Sequence, residues 1–285
     1  MTYRSVFHAE LFAGQTVIVT GGGSGIGRCT AHELVALGAR VALIGRKEEK
    51  LLKVQNELGT EAATIHVCDI RDELKVRQTV QDILLAHGKI DGLVNNAGGQ
   101  YPTPLETISA KGWDAVIATN LTGGFLMARE CYTQSMAAHG GAIVNIIADM
   151  WNGMPGMGHS GAARAGMLNL TETAACEWAV SGVRVNAVAP GYIASSGLDS
   201  YPPALVAQLK HIAKKVPMQR FGNEAEVSAA IVFLLSKAAS FITGSVLRVD
   251  GGVPNARPTW PLPAHKRSEP FDGFPLYEMP QALRD

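Results

Sequence analysis

The sequence has few cysteines, no excess of charge of either sign and no long apolar run. Its four cysteines are far apart and form no C-x-x-C pair, so the pattern indicates neither a disulfide framework nor a zinc site, and no metal is expected. Lys and Arg number 25, as do Asp and Glu, and this balance argues against a nucleic-acid or membrane-surface binder. No apolar run reaches the roughly 18 residues that a membrane-spanning helix needs.

The chain holds enough apolar material for one large core. It has 285 residues, of which 47% are hydrophobic and 18% charged, a composition typical of a globular protein. This length is within reach of a single α/β domain. Residues 1–13 lack the apolar core of a signal peptide. We therefore expect a cytoplasmic protein built on one domain, with no membrane attachment.

Strand-like apolar runs alternate with helix-period segments between Thr16 and Val249, as in a parallel sheet covered on both faces. The predicted strands are Thr16–Thr20, Val41–Gly45, Thr64–Val67, Gly92–Asn95, Ala142–Ile147, Arg184–Val188 and Ser245–Val249. The predicted helices are Gly25–Leu37, Glu49–Leu58, Glu73–His87, Gly112–Ala137, Ala162–Val180 and Asn223–Leu235. We predict one α/β domain over residues 1–253, a Rossmann-type doubly wound sheet of seven parallel strands with helices on both faces. Its ligand site should lie at the carboxyl ends of the strands.

Residues 254–285 differ in composition from the rest of the chain. They hold seven of the fourteen prolines, together with Trp260, Phe271, Phe274 and Tyr277. Proline excludes regular helix and central strand, whereas exposed aromatic side chains are costly. We expect a C-terminal extension that packs on the domain or on a neighbouring subunit.

A glycine-rich segment, Thr20–Gly27, directly follows the first predicted strand and opens the first predicted helix. Glycine permits a tight turn and the close approach of a pyrophosphate, and the helix N-terminus offers free N–H groups. In this context the segment predicts a dinucleotide site rather than an ordinary glycine-rich loop.

Several ordered motifs resemble the short-chain dehydrogenases/reductases over residues 11–252. They are T-G-x-x-x-G-x-G at Thr20–Gly27, N-N-A-G at Asn95–Gly98, the helix asparagine Asn120 and P-G-x-I at Pro190–Ile193. The resemblance implies a homotetramer formed through the helices near Gly112–Ala137 and Ala162–Val180. It also implies cofactor contacts from Thr20, Gly21, Ser24, Gly25, Ile26, Gly27, Asp69, Ile70, Asn96, Ala97, Gly98, Pro190, Gly191, Ile193 and Ser195.

The end of the second strand predicts which dinucleotide is preferred. Members of the family that prefer NAD carry a carboxylate there, which holds the ribose hydroxyls, but this chain has Arg46 and Lys47. A guanidinium binds a 2′-phosphate bidentately, so NADP(H) is favoured and NAD(H) stays possible. The alternative is that both residues merely begin a solvated helix.

The tyrosine and lysine of the family's carbonyl reductases are missing. When Ala163–Gly166 is aligned on the family's S-K-A-A, Ser160 stands at the tyrosine position and Arg164 at the lysine position, where it would also hold the nicotinamide ribose. The usual catalytic serine is replaced by Ala148, with Asp149 beside it. A serine hydroxyl is a far weaker acid than a phenol, and arginine does not release its proton, so the usual proton relay to a carbonyl is impaired.

A substrate that accepts hydride at carbon without simultaneous protonation of an alkoxide suits such a site. An α,β-unsaturated thioester is one, since the charge spreads to its oxygen. The chain is similar around Asn120 and His159–Gly166 to trans-2-enoyl-CoA and dienoyl-CoA reductases, which also lack tyrosine at the usual position. It departs from the enoyl reductases at Leu168–Glu172, where they can carry a Tyr-Asn-Leu-Thr-Lys string.

The candidate catalytic residues are Asn120, Ser160, Arg164 and Asp149, and each has a structural alternative. Asn120 could be an ordinary polar helix residue and Ser160 an N-cap. Asp149 could relay a proton if its pKa were raised, or could cap a helix or form a salt bridge. The segment Ser195–Met218 holds Lys210, His211, Lys214 and Lys215, which could meet coenzyme A phosphates or form a solvated helix face, and the same two readings apply to His265, Lys266 and Arg267.

Three functions remain open. The first is an NADP(H)-dependent reductase of the C=C bond of a 2-enoyl thioester. The second is an NAD(P)-dependent alcohol or aldehyde dehydrogenase, for example of citronellol-like terpenoids. The third is a non-catalytic dinucleotide-binding sensor or scaffold, which would need to keep only the phosphate turn.

Overall fold

A computed structural model describes residues 2–200, 211–256 and 259–284. Its main sheet has seven parallel strands in the order β3-β2-β1-β4-β5-β6-β9, which confirms the predicted Rossmann-type fold. A small parallel pair, β7 with β8, lies apart from it. The strands are β1 (Thr16–Thr20), β2 (Arg40–Gly45), β3 (Ala63–Val67), β4 (Gly92–Asn95), β5 (Gly141–Ile146), β6 (Val183–Pro190), β7 (Ile193–Ala194), β8 (Gly222–Asn223) and β9 (Val246–Val249).

The long helix predicted over Gly112–Ala137 is divided by two π-helical turns, Ala118–Thr122 and Tyr132–Met136. π-helical turns are rare and are frequent at functional sites, and the first one contains Asn120. No helix in the described ranges is long and apolar enough to cross a membrane. The helices are α1 (Gly25–Ala36), α2 (Glu48–Leu58), α3 (Glu73–His87), α4 (Ala110–Ile117), α5 (Gly123–Cys131), α6 (Ala137–His139), α7 (Gly158–Glu177) and α8 (Glu224–Leu235).

The core lies in two layers on either side of the sheet. Val17 and Val19 of β1 pack with Ile231 of α8 on one face. Ile18, between them, packs on the other face with Val80 of α3. Successive strand residues point to opposite faces, so a strand covered by helices on both sides is apolar throughout. This explains why β1 is buried along its whole length.

The strand order reverses at β1, which lies between β2 and β4. Connections leave β1 and β4 in opposite directions, so a crevice opens at their carboxyl ends. The segments that follow β1, β4, β5, β6 and β9 therefore meet at this edge of the sheet.

The C-terminal extension, from residue 254 onward, covers part of α1. Phe274 is 2% exposed and packs near Tyr3 and His32. The guanidinium of Arg28 lies over the Phe274 ring, 5.2 Å from its centroid. Burial of a phenylalanine contributes about 1.5–3 kcal/mol, so this contact holds the segment against the domain.

Candidate active site

The turn between β1 and α1 has a backbone that only glycine fits. Gly21 and Gly25 have φ values of 66° and 56°. A Cβ on Gly27 would lie 2.4 Å from the carbonyl oxygen of Gly21, closer than real Cβ contacts allow. The turn thus packs tightly against the start of α1. Ser24 directly precedes this helix and Ile26 lies in its first turn. Ser24 is the N-cap and makes no side-chain cap hydrogen bond. The free N–H groups at this helix end suit the pyrophosphate of a dinucleotide.

Thr20 and Asn96 connect this turn to the segment after β4. The Thr20 hydroxyl accepts hydrogen bonds from the backbone N–H groups of Asn96 and Ala97, at 3.0 and 2.9 Å. The Asn96 amide donates to the Thr20 carbonyl at 3.0 Å. These bonds fix the two sides of the crevice relative to each other, so both residues act as supports for the cofactor-binding backbone.

Arg46 and Lys47 lie exposed at the carboxyl end of β2. Lys47 is the N-cap of α2, so the reading that these residues begin a helix is partly right. Arg71 was missed by sequence analysis. Its guanidinium binds both carboxylate oxygens of Asp69, and this interaction lowers the pKa of Asp69 to about 2. A second arginine thus lies near the expected adenosine position, with part of its charge neutralised.

Glu224, beside the phosphate turn, is a further residue that was not predicted from the sequence. It is 6% exposed, and one carboxylate oxygen lies 3.8 Å from the position of a Cβ on Gly25. Burial raises the pKa of Glu224 to about 7, although Arg28 and the Ser196 backbone N–H oppose the shift. A carboxyl group that titrates near neutrality therefore lies beside the phosphate turn. A glutamate in the first turn of a helix is common, so nothing in the sequence marks this one.

The nicotinamide segment predicted at Pro190–Ile193 runs from the last residue of β6 to the first residue of β7. Ile193 is 8% exposed and forms β7, whereas Ser195 is half-buried and its carbonyl accepts from Leu198. A Cβ on Gly191 would lie 2.9 Å from the Cβ of Asp250. The segment thus passes close to the end of β9, and glycine is needed for this approach.

Gly98, Asn120 and Arg164 come together as predicted for one site. A Cβ on Gly98 would lie 2.8 Å from Asn120 Oδ1 and 2.5 Å from an Arg164 Nη atom. The Asn120 amide donates to the carbonyls of Gly99 at 2.6 Å and Val116 at 2.9 Å. Asn120 is therefore fully engaged in holding the loop after β4, and neighbouring Ile70 packs against α5 at Gly123.

Arg164 carries a charge that is only partly compensated. It donates to the Ile146 carbonyl, while its Nε is buried without a hydrogen-bond partner. Desolvation lowers the pKa of Arg164 to about 10, so the side chain stays a cation at neutral pH. It forms no ion pair within the described residues, which leaves it able to bind a ligand oxygen.

Ser160 does not cap its helix. The N-cap of α7 is Met157, and Ser160 is fully buried in the first turn. Its hydroxyl donates to Gln100 Oε1 at 2.6 Å. This hydroxyl proton is therefore already engaged, and the bond holds the amide oxygen of Gln100. Gln100 was not among the predicted site residues.

His159, beside Ser160, is also fully buried. Its Nδ1 accepts from the Ser160 backbone N–H, and its ring meets Tyr101 edge-on, with centroids 4.6 Å apart. The Nε2 atom has no hydrogen-bond partner. The hydroxyl of Tyr101 lies against Gly112, at the start of α4.

Asp149 neither caps a helix nor forms an ion pair in the described part of the chain. Its Oδ1 is buried without a hydrogen-bond partner, and so is Oδ2 of Asp250. Burial, and then the charge of Asp250, raises the pKa of Asp149, while Arg248 opposes the shift. Burial and the Asp149 charge also raise the pKa of Tyr192. Asp250 and Tyr192 were not predicted as site residues.

The arrangement at the ends of β4, β5, β6 and β9 provides a cation, an amide and a carboxyl group with raised pKa. The amide of Gln100 and the guanidinium of Arg164 can stabilise developing negative charge. A carboxyl group that keeps its proton nearer to neutral pH can act as a general acid. The glycine cradle at Gly27 and the helix end after it fit a dinucleotide. The site thus has the groups for a hydride-transfer reaction that includes a proton transfer.

Comparison with known proteins supports this interpretation. A family model described as enoyl-(acyl carrier protein) reductase matches residues 21–254. The chain is 35% identical to the peroxisomal 2,4-dienoyl-CoA reductase of Danio rerio over 88% of its length and 85% of that protein. It is 38% identical to glucose 1-dehydrogenase of Gluconobacter oxydans (strain 621H), over 86% of its length and 94% of that protein.

A solved structure is more similar still. The chain is 56% identical to the citronellol catabolism dehydrogenase of Pseudomonas aeruginosa PAO1, with a TM-score of 0.80, over 88% of this chain and all of that one. These relatives act on chemically different substrates, so their likeness establishes a reaction class rather than a substrate. The fold, the phosphate turn and these matches together show that the chain belongs to the short-chain dehydrogenases/reductases and is an NAD(P)-dependent oxidoreductase.

Proposed function

We propose that the protein is an NADP(H)-dependent reductase of the C=C bond of a 2-enoyl thioester. The observation that carries this proposal is the state of two tyrosines in the segments after β4 and β6, Tyr101 and Tyr192. The hydroxyl of Tyr101 packs against Gly112, and the pKa of Tyr192 is raised rather than lowered. A carbonyl reductase needs a phenol made more acidic, to protonate an alkoxide as it forms. Conjugate addition does not need one.

The residues of this chain have distinct parts in the proposed reaction. A bound nicotinamide supplies hydride to the β-carbon of the substrate. The Gln100 amide, oriented by Ser160, donates a hydrogen bond to the thioester oxygen, where the negative charge develops. Asp149, protonated, gives its proton to the α-carbon and regains one from solvent. Arg164 holds the ribose of the cofactor, as the family resemblance implies.

We propose a preference for NADP(H) on the charges at the end of β2. Arg46 is exposed and forms no ion pair in the described ranges, so its guanidinium is available to a 2′-phosphate. Lys47 and Arg71 add positive charge nearby. The acidic residue that would repel such a phosphate is absent from the position after Gly45.

A terpenoid alcohol or aldehyde dehydrogenase is the second candidate. It is favoured by the 56% identity to the citronellol catabolism dehydrogenase. In that case the ionised Asp149 carboxylate, whose pKa burial and Asp250 raise, would act as the base that accepts the hydroxyl proton.

One assay separates the two candidates. NADPH oxidation is followed with 2-enoyl-CoA and 2,4-dienoyl-CoA esters and with citronellal, and NADP⁺ reduction with citronellol. We expect consumption of NADPH with the enoyl esters and a saturated product by mass spectrometry. Turnover of citronellol or citronellal, with none of the thioesters, would replace the first proposal by the second.

We also propose a cytoplasmic homotetramer. Two aromatic side chains that are each 37% exposed, Trp113 and Phe125, lie on α4 and α5, and burial in a subunit interface would remove this apolar surface from water. None of the four cysteines is paired, which suits a reducing compartment. Light scattering should give four times the subunit mass, and a monomer would contradict the proposal.

A further inference from the structure

The C-terminal extension is hydrogen-bonded to the stretch of chain just before α8. The His265 ring donates to the Pro217 carbonyl at 3.0 Å. The Arg220 guanidinium donates to the Ser268 hydroxyl at 2.9 Å and to the Glu269 carbonyl at 3.1 Å. These hydrogen bonds join stretches about fifty residues apart in sequence, so the two stretches keep a defined relative position.

Two basic pairs are brought together by this attachment. Lys214 and Lys215 lie shortly before Pro217, and Lys266 and Arg267 directly follow His265. All four side chains are exposed, and none forms an ion pair within the described residues. The four cations lie within three residues of the His265–Pro217 hydrogen bond, two on each segment, and are together called the basic patch. Lys210, which sequence analysis grouped with the first pair, lies outside the described residues.

The basic patch lies beside the end of the crevice that holds Asp149 and Asp250, called the reaction end. The Met218 N–H donates to the Gly251 carbonyl at 3.4 Å, and a Cβ on Gly252 would lie 3.3 Å from the Pro217 ring. Both glycines follow β9 and Asp250. Arg46, by contrast, follows β2, five strands away from β9 in the sheet. The patch is therefore separate from the residues expected to hold the adenosine phosphate of the cofactor.

We propose that Lys214, Lys215, Lys266 and Arg267 bind the phosphorylated adenosine of an acyl-coenzyme A substrate. This inference rests on the proposed thioester reductase function. Coenzyme A carries a 3′-phosphate and a diphosphate at one end of a long uncharged arm that ends at the sulfur. Charge-assisted hydrogen bonds from lysine and arginine suit this group, and the arm would reach from the patch into the crevice.

A binding experiment tests the site without any turnover. Adenosine 3′,5′-bisphosphate is titrated by calorimetry onto protein saturated with NADPH, so that the cofactor site is already filled. We expect binding that weakens with added salt and is reduced about tenfold or more in the K266A/R267A variant. The control variant K53A/K75A removes the same charge from exposed positions on α2 and α3 and should bind normally. Absence of binding, or equal losses in both variants, would overturn the proposal.

A kinetic comparison links the site to the substrate. The same 2-enoyl group is presented on coenzyme A and on N-acetylcysteamine, which lacks the nucleotide. K266A/R267A should raise KM about tenfold for the coenzyme A ester and leave KM for the short thioester unchanged. If neither thioester is reduced, the proposed function itself fails. If both are reduced and the variant changes neither KM, only the basic patch proposal fails, and the same holds if only an acyl carrier protein thioester is affected.

Discussion

The two ends of the crevice differ in how their polar groups are satisfied. At the phosphate end, Thr20 and Asn96 bond to each other and to nearby backbone groups, and the turn that they hold presents the backbone N–H groups of a helix N-terminus. At the reaction end, Asp149, His159 and Arg164 each have a buried polar atom without a hydrogen-bond partner in the described part of the chain. Asp250 has one too, but its Oδ2 lies 3.4 Å from Arg248 Nε and forms an ion pair with it. Such atoms also occur elsewhere, on Thr30, His87 and Asn95. Buried polar groups are usually paired, so several unpaired ones near one end of the crevice indicate a site that a ligand or water completes.

The difference shows that the phosphate end is rigid before any ligand binds, whereas the reaction end keeps polar groups available to a substrate. A phosphate turn works through backbone shape, which self-contained hydrogen bonds make rigid. A proton-transfer site needs groups whose protonation can change, and a carboxyl group satisfied by several donors would lose its proton too easily.

The largest effect should come from Gly27→Ala. The added methyl group would lie 2.4 Å from the Gly21 carbonyl and 2.6 Å from the Asn96 amide, so the turn must shift. We expect cofactor binding to be abolished in a fluorescence titration. Gly99→Ala, where nothing lies within 4 Å of the new methyl, is the matched control and should bind cofactor normally. Normal binding by Gly27→Ala would mean that the turn is not the phosphate site.

Asp149→Asn should lower kcat by about 10²-fold or more, since it removes a general acid, and should leave the Kd for NADPH unchanged. In the unaltered enzyme kcat should fall as pH rises through the pKa of Asp149, which burial and Asp250 raise. This fall of kcat with rising pH should be absent in Asp149→Asn. In Asp250→Asn it should move to lower pH, because a charge that raises the pKa is gone. An unchanged pH profile in both variants would exclude Asp149 as the acid.

Arg46→Asp should weaken NADPH binding about 10²-fold and change NADH binding little. A charge-assisted pair with the 2′-phosphate becomes a repulsion, whereas the ribose hydroxyls of NADH can bond to the new carboxylate. Calorimetry with each cofactor measures the ratio. Equal losses for NADPH and NADH would remove the basis for a preference.

Ser160→Ala and Gln100→Leu should each lower kcat/KM about tenfold or more, if the Gln100 amide holds the thioester oxygen. Because Ser160 acts by orienting Gln100, the double variant should be no slower than Gln100→Leu alone. Melting temperatures close to the parent value would show that folding is not the cause. Additive losses would mean that Ser160 contacts the substrate independently.

The smallest effect concerns Glu224, the exception at the phosphate end. Burial raises its pKa from 4.5 to about 7, so the folded state loses stability as pH rises between these values. Glu224→Gln removes this penalty and keeps an acceptor for the Ser196 N–H. The variant should match the parent at pH 4.5 and exceed it by about 1–3 kcal/mol at pH 8, a few degrees in melting temperature. A difference independent of pH would contradict the titration of Glu224.

The fold and the phosphate end were largely predictable from sequence. The strands were predicted within one or two residues of those observed, because most of their residues are apolar and each strand stands out from the turn or helix that follows it. The helix α7 begins at Gly158 rather than at Ala162. Its N-cap residue, Met157, makes no side-chain cap hydrogen bond, so no capping pattern in the sequence marks this start. That shift of four residues changed Ser160 from a possible cap into a buried donor.

At the reaction end, the sequence predicted several site residues but not the residues that they contact. Asn120, Arg164, Ser160 and Asp149 were named from motif positions. The partners that define their chemistry were not, since glutamine after a glycine pair and aspartate after a strand are common. These partners became visible only when the loops after separate strands were seen side by side.

The sequence by itself determined the alternation of strand and helix, the glycine turn and the basic residues after β2, because each depends on neighbours a few positions away. Only the tertiary structure decided that Asp250 raises the pKa of Asp149, that Ser160 bonds to Gln100 and that His265 bonds to Pro217. These pairs are 48 to 101 residues apart in the chain. They meet because the order of the strands in the sheet, rather than their order in sequence, places their loops at one edge.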